Sequence, residues 1–121
     1  MKVKIDTKEK FHVLTVEDKE LPANMTEELN EKLLVYLQEE IKNVVLKLGP
    51  VEAIDEGTAE DIARIQQTYY DNDCSFVICE IQKPVEDFLD EKDLLELLNI
   101  VPTESEAWDM VQMEEIEREM F

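Results

Sequence analysis

Two short and almost uninterrupted apolar segments, NVVLKL at 43–48 and SFVICEI at 75–81, limit the folds open to this chain. Both are rich in β-branched residues and lack the alternation of a strand with one solvated face, so each predicts a strand covered on both faces. Each is followed by a segment whose apolar residues recur at helical spacing. This strand–helix–strand pattern predicts parallel strands joined by right-handed crossovers.

The flanking segments complete a predicted α/β domain. The runs KVKID and FHVLTV predict an N-terminal antiparallel hairpin, and LLNIV predicts a final strand. We predict a single domain over 1–121 with a mixed central sheet of about five strands and four helices. The predicted order is β-β-α-β-α-β-α-β-α.

Helix ends are predicted from capping residues. Asn24, with Glu27 three residues later, predicts the start of the first helix, which we expect to end near Glu40. The last helix follows Pro102, with Thr103 or Ser105 as its cap. Its last third is acidic, which opposes the helix dipole, so we expect residues 113–121 to fray or to dock on a partner.

Charge and composition exclude several classes of function. The chain has 12 Lys and Arg against 31 Asp and Glu, a net charge of −19, which repels nucleic acid and anionic membranes. A basic protein partner fits this charge, and so does plain solubility through self-repulsion. No apolar run approaches the ~18 residues that span a bilayer, and no apolar signal segment precedes the first strand. We therefore expect a cytoplasmic protein with no membrane contact.

Groups that could carry out chemistry are few. His12 is the only histidine, and we expect it on the surface of a strand, with no nucleophile motif beside it. Cys74 and Cys79 are five residues apart, which puts them on opposite faces of a strand and prevents them from pairing or sharing a metal. The DND run at 71–73 lacks the Gly and Glu of a calcium loop. We predict no enzyme activity, no catalytic residue, no metal and no cofactor.

The stretch IDEGTAE at 54–60 lies where a strand should turn into a helix. Its one hydroxyl belongs to Thr58, and TAED is a capping-box pattern with Asp61 at its end. Phosphorylation of Thr58 would be opposed by the neighbouring acids. We therefore interpret Thr58 as a helix cap and, second, as a candidate phosphoacceptor. Met110, Met113 and Met120 are predicted to form an exposed apolar strip on the last helix.

The order and spacing of these elements, from NVVLKL through SFVICEI and PVEDFLDEKDLLELL to NIVPTESEAWDMV, resemble the STAS domain. This is the family of bacterial anti-sigma factor antagonists and of the cytosolic domains of sulfate transporters. The resemblance implies a non-enzymatic protein-interaction module that binds an anti-sigma factor which is also a Ser/Thr kinase. It also implies a switch, in which phosphorylation of one Ser or Thr at the start of the second helix breaks the complex.

The chain departs from the family at the site of that switch. Aligned from NVVLKL, Asp55 falls on the family's Asp, Glu56 on the following Ser and Gly57 on the phosphoacceptor. A shift of one residue puts Glu56 at the acceptor instead. Three alternatives remain: the switch is absent, Glu56 is a fixed negative charge, or Thr58 has taken over. Pro22 also stands where the family has Asp.

The resemblance implies a partner-binding surface formed by the loop at 22–26, the loop at 52–58 and the start of the second helix. The residues predicted to bind the partner are Pro22, Asn24, Asp55, Glu56, Gly57, Thr58 and Asp61. A different class of function is also open, namely a constitutive structural or subunit-type module with no phosphorylation switch.

Overall fold

The computed structural model describes residues 1–120, and the elements of that part of the chain follow the predicted order except for two additional short strands. The strands are β1 Val3–Thr7, β2 Phe11–Val16, β3 Glu20–Leu21, β4 Asn43–Lys47, β5 Ala53–Ile54, β6 Phe76–Cys79 and β7 Ile100–Val101. The helices are α1 Thr26–Leu34, α2 Glu56–Asp71, α3 Lys83–Glu91 and α4 Glu104–Met120. Short 3₁₀ turns cover Ala23–Met25, Val35–Gln38 and Leu95–Leu97.

The predicted mixed five-stranded sheet is confirmed, in the order β1-β2-β4-β6-β7. β1 is antiparallel to β2, and the other neighbours are parallel. Because the parallel strands advance in one direction across the sheet, right-handed crossovers place α1, α2 and α3 on the same face. α4 follows the last strand and covers the opposite face. β3 and β5 form a separate two-stranded parallel sheet, which the sequence did not predict.

The two continuous apolar segments form β4 and β6, and both strands are buried on both faces, as predicted. Val44 and Leu46 pack in the core layer shared with α1, α2 and α3, whereas Val45 packs in the layer under α4. In β6, Ile78 and Cys79 divide between the two layers in the same way. Both cysteines of the chain are free.

The predicted cap of the first helix is wrong. Asn24 is exposed and lies inside a 3₁₀ turn, where the Met25 N–H donates to the Pro22 carbonyl over 3.0 Å. The residue that precedes α1 is Met25, which is already helical in φ and ψ and makes no side-chain capping bond. The 3₁₀ turn thus supplies backbone acceptors where a capping side chain was expected. A second 3₁₀ turn takes over after Leu34 and ends at Gln38.

The expectation of a surface position for His12 is also wrong. β2 lies one strand in from the edge, so its side chains are covered, and His12 is buried. Its Nε2 donates to the Ile41 carbonyl over 2.8 Å, and its Nδ1 is hydrogen-bonded to the Thr7 hydroxyl over 2.9 Å. The ring also stacks on Tyr36, with 4.2 Å between centroids. His12 therefore joins the hairpin to the segment that follows α1.

The last helix begins as predicted, because the Glu106 N–H donates to the Thr103 hydroxyl over 3.2 Å. Its other end is held against the sheet rather than frayed. Arg118 donates to the Ser75 hydroxyl over 3.2 Å, and Asn43 donates to the Glu115 carboxylate over 2.6 Å. Within residues 1–120, no helix combines the length and the apolar character needed to cross a membrane.

Candidate functional site

The small β3–β5 sheet brings together two segments at the carboxyl ends of the parallel strands, the edge at which open α/β sheets usually bind ligands. Glu20 is paired with Ala53 and Leu21 with Ile54. The Asp55 N–H then donates to the Leu21 carbonyl over 3.0 Å. This pairing sets residues 20–25 beside residues 52–57, and we call these two segments together the β3–α2 surface.

The residue that caps α2 is Asp55, not Thr58. Asp55 has extended φ and ψ of −81° and 153°, and its Oδ1 accepts from the Gly57 N–H over 3.1 Å. Aspartate is as good an N-cap as threonine, and β5 ends directly before it, so the helix begins earlier than the TAED pattern suggested. Glu56 becomes the first helical residue, where its charge interacts favourably with the helix dipole.

Thr58 lies in the first turn of α2 and is completely buried. Its hydroxyl donates to the Pro22 carbonyl over 3.0 Å. On the same side, Gly57 is so close to the 3₁₀ turn that an added Cβ would lie 3.4 Å from the Ala23 Cβ. Thr58 therefore joins the two halves of the β3–α2 surface from below, and its hydroxyl is not presented to solvent.

Asp61 is buried between α1 and α2, not part of a capping box. Its Oδ1 accepts from the Asn30 side-chain amide over 2.9 Å and from Arg64 over 3.3 Å. Its Oδ2 is buried with no hydrogen-bond partner among the described residues. Asp61 thus helps to fix α1 against α2 beneath the surface, a contact that sequence spacing could not reveal because the two residues are 31 positions apart.

Two single substitutions test that Asn30 supports the buried Asp61 and that Asn24 does not cap α1. Asn30→Ala leaves the buried Asp61 carboxylate short of a donor, so it should lower the free energy of unfolding by about 1–3 kcal/mol. Asn24→Ala removes an exposed amide with no capping bond and should change it by less than about 0.5 kcal/mol. Urea denaturation of the two variants measures both values. If Asn24→Ala lowered the free energy of unfolding by as much as the roughly 1–3 kcal/mol expected for Asn30→Ala, Asn24 would be a cap of α1 after all.

The exposed part of the β3–α2 surface is acidic. It carries four exposed carboxylates, those of Glu20, Glu52, Asp55 and Glu56. The exposed Lys19 adjoins this cluster in the chain, and Lys92 at the end of α3 places its Nζ 3.9 Å from the Glu56 carboxylate. Because this pair is largely exposed, it is a weak contact, and Glu56 keeps its charge available to a partner.

The surface contains a shallow depression of about 260 Å³ rather than a deep pocket. It is lined by Glu20, Leu21, Pro22, Ala53, Ile54 and Asp55. Small-molecule sites are usually larger and more enclosed, at about 300–1,000 Å³. Among residues 1–120 no group of three or more His, Cys, Asp or Glu side chains could hold a metal ion. The shape fits contact with another protein better than binding of a small ligand.

Residues 2–107 match the sequence model of the STAS domain. The chain belongs to the STAS domain family. No curated protein sequence matches it significantly, so the further comparisons are with solved structures.

Solved structures show that this STAS domain has the fold of its family. It is similar to an anti-sigma-factor antagonist domain protein from Planctomyces limnophilus, with 16% identity, coverage of 91% of this chain and 97% of that one, and a TM-score of 0.78. An anti-sigma factor antagonist from Mycobacterium paratuberculosis gives 14% identity, 92% and 93% coverage, and a TM-score of 0.78. The murine anion transporter Slc26a9 is also similar, with 14% identity and a TM-score of 0.72. The match covers 86% of this chain and 18% of the transporter chain.

The structure divides the predicted partner-binding residues of this STAS domain into two levels. Asn24, Asp55 and Glu56 are exposed, and Pro22 and Gly57 are half-buried beside them. Thr58 and Asp61 lie underneath and hold the surface together. The supporting residue that sequence reasoning missed is Asn30, and no local pattern marked it.

Proposed function

We propose that this STAS domain is a non-enzymatic protein-binding module of bacterial signalling, with a role similar to that of an anti-sigma factor antagonist. Its partner is an anti-sigma factor or a related kinase-like protein, and it binds through the β3–α2 surface. Membership of the family supports this role. The shallow acidic shape of the surface, without a ligand-sized pocket, supports a protein partner over a small molecule.

We further propose that the phosphorylation switch has been lost at this surface. The observation that carries this proposal is the burial of Thr58, the only hydroxyl in the segment 54–60. Glu56 is an exposed acid at the start of α2. A kinase could not add a phosphoryl group here, and a phosphatase could not remove the charge. Binding through this surface is then constitutive, set by protein concentration rather than by modification.

A charge reversal at Glu56 tests the role of the surface. We expect Glu56→Lys to weaken capture of the native partner by about tenfold or more, because a basic partner surface would face a like charge. Glu96→Lys is the matched control, since Glu96 is exposed near the C-terminal half of α2, beside Gln66 and Tyr70. Capture from the protein's own host at native expression level, followed by mass spectrometry, measures both.

The outcomes separate the proposed role from its rivals. Recovery of a kinase-like or anti-sigma protein that depends on Glu56 supports the proposal. Recovery of a stable assembly without such a protein supports a structural subunit instead. Equal capture by Glu56→Lys and Glu96→Lys contradicts the assignment of the surface. A second band on a phosphate-affinity gel that disappears in Thr58→Val contradicts loss of the switch.

A further inference from the structure

The outer face of α4 carries an apolar stripe that nothing in residues 1–120 covers. Met113, Ile116 and Met120 are 56%, 51% and 72% exposed. Their spacing of three and then four residues places them on one side of the helix. The predicted methionine strip is therefore present in part, but Met110 is half-buried against the core layer under α4, and Ile116 takes its place.

The stripe is surrounded by negative charge. Two exposed acids, Glu117 and Glu119, lie on either side of it, and Glu106 and Asp109 continue its line toward the start of α4. The single basic residue of α4, Arg118, does not offset them at the outer face, because it is half-buried and bonded to Ser75 and Asn43. The outer face of α4 is thus apolar over its C-terminal half, with acids beside the stripe and along the preceding turns.

This face is held in place before any partner arrives. The opposite side of α4 is anchored by the buried side chains of Ala107 and Val111. The bonds of Arg118 to Ser75 and of Asn43 to Glu115 fix its C-terminal end to the sheet. A helix anchored in this way loses little conformational entropy on binding, which favours affinity.

We propose that the outer face of α4 is a second interaction surface, which binds a basic amphipathic helix of a partner protein. The apolar side of such a helix would cover Met113, Ile116 and Met120, and its Lys or Arg residues would pair with the flanking acids. Met side chains adapt to varied apolar partners. The surface lies on the face of the sheet opposite α2, so it leaves the β3–α2 surface free for a different partner.

The charge of the chain argues against the other occupants. Two copies that met through this face would bring together two acid-lined helices of molecules that each carry a net charge of −19. An anionic membrane would be repelled for the same reason. A basic helix is the occupant whose charge is complementary to the acids around the stripe and whose apolar face matches the stripe itself.

A model peptide tests this proposal with the full chain. The probe is a fluorescein-labelled peptide of Leu and Lys, about 18 residues long, whose Leu residues lie on one helical face. Its control has the same composition in a scrambled order that destroys the apolar face. The variant Met113→Ser/Ile116→Ser/Met120→Ser removes the stripe at constant net charge. The matched control variant is Ile5→Ser, because Ile5 on the edge strand β1 is 52% exposed, almost the same as Ile116.

Fluorescence anisotropy is expected to show saturable binding of the amphipathic peptide that the triple variant weakens by about tenfold or more. Ile5→Ser should bind like the unchanged chain, and the scrambled peptide should bind weakly in every case. Equal binding of both peptides, or equal loss in both variants, would mean mere charge attraction and would overturn the proposal. So would a self-associated state in sedimentation that the triple variant dissolves, because the occupant would then be a second copy.

Discussion

Replacement of Thr58 by glutamate is expected to lower the free energy of unfolding by about 3–5 kcal/mol, a large part of the total stability of a domain of this size. The side chain of Thr58 is completely buried, and the nearest polar partner of its hydroxyl is a carbonyl oxygen, that of Pro22. A carboxylate there would lose its water and face another acceptor. Urea denaturation followed by circular dichroism measures the loss.

A variant of nearly the same size separates the effect of the buried charge on stability from the effect of the lost hydrogen bond. Thr58→Val keeps the size of the side chain but leaves the Pro22 carbonyl without its donor, so it should cost about 1 kcal/mol. If Thr58→Glu proved as stable as Thr58→Val, the side chain would have access to solvent at little cost. Thr58 would then return as a candidate phosphoacceptor, and the proposed loss of the switch would be wrong.

Alkaline pH is expected to destabilise the protein through a buried thiol. Burial raises the pKa of Cys79 from 9.0 to about 12, and burial also raises the pKa of Tyr69, whose hydroxyl donates to the Leu33 carbonyl. Each group ionises more easily in the unfolded chain. The stabilising effect of Cys79 is therefore complete below pH 9 and is lost as the pH rises from 9 to about 12. That of Tyr69 is complete below pH 10 and is lost only above it.

The expected slope is about 1.4 kcal/mol per pH unit for each group that ionises only in the unfolded chain. Cys79→Ala should remove one such contribution and flatten the fall in unfolding free energy between pH 9 and 12. Cys74→Ala is the matched control, because Cys74 is half-buried and burial raises its pKa less. Urea denaturation across this pH range gives the comparison. The same slope in both variants would contradict a buried, protonated Cys79.

Prediction from the sequence succeeded where each element is specified by its own residues. β4 and β6 are apolar on both faces because α4 covers one side and three helices cover the other. Their nearly continuous apolar sequences therefore predicted this burial directly. The same holds for α2, whose helical spacing of apolar residues was predicted and whose Ile62, Ile65 and Tyr69 are buried. The hairpin and the cap at Thr103 were also local patterns.

Prediction failed where two segments distant in the chain decide the outcome. Asn24 was expected to cap a helix, but the chain enters α1 through a 3₁₀ turn packed against Gly57. The TAED motif was a sound capping pattern, yet Asp55 took that role because β5 pairs with β3 and ends directly before it. The burial of His12 likewise depends on the residues after α1.

Local sequence patterns were enough to predict an α/β domain of the STAS type, because strand burial and helical periodicity depend on the residues of each element. The family resemblance also predicted that no hydroxyl stands at the phosphoacceptor position, and this stays a prediction. The structural role of Thr58, in contrast, follows from a contact between distant segments of the folded domain. The Thr58 hydroxyl is bonded to the Pro22 carbonyl, 36 residues away in the chain, and no local sequence pattern predicts such a contact.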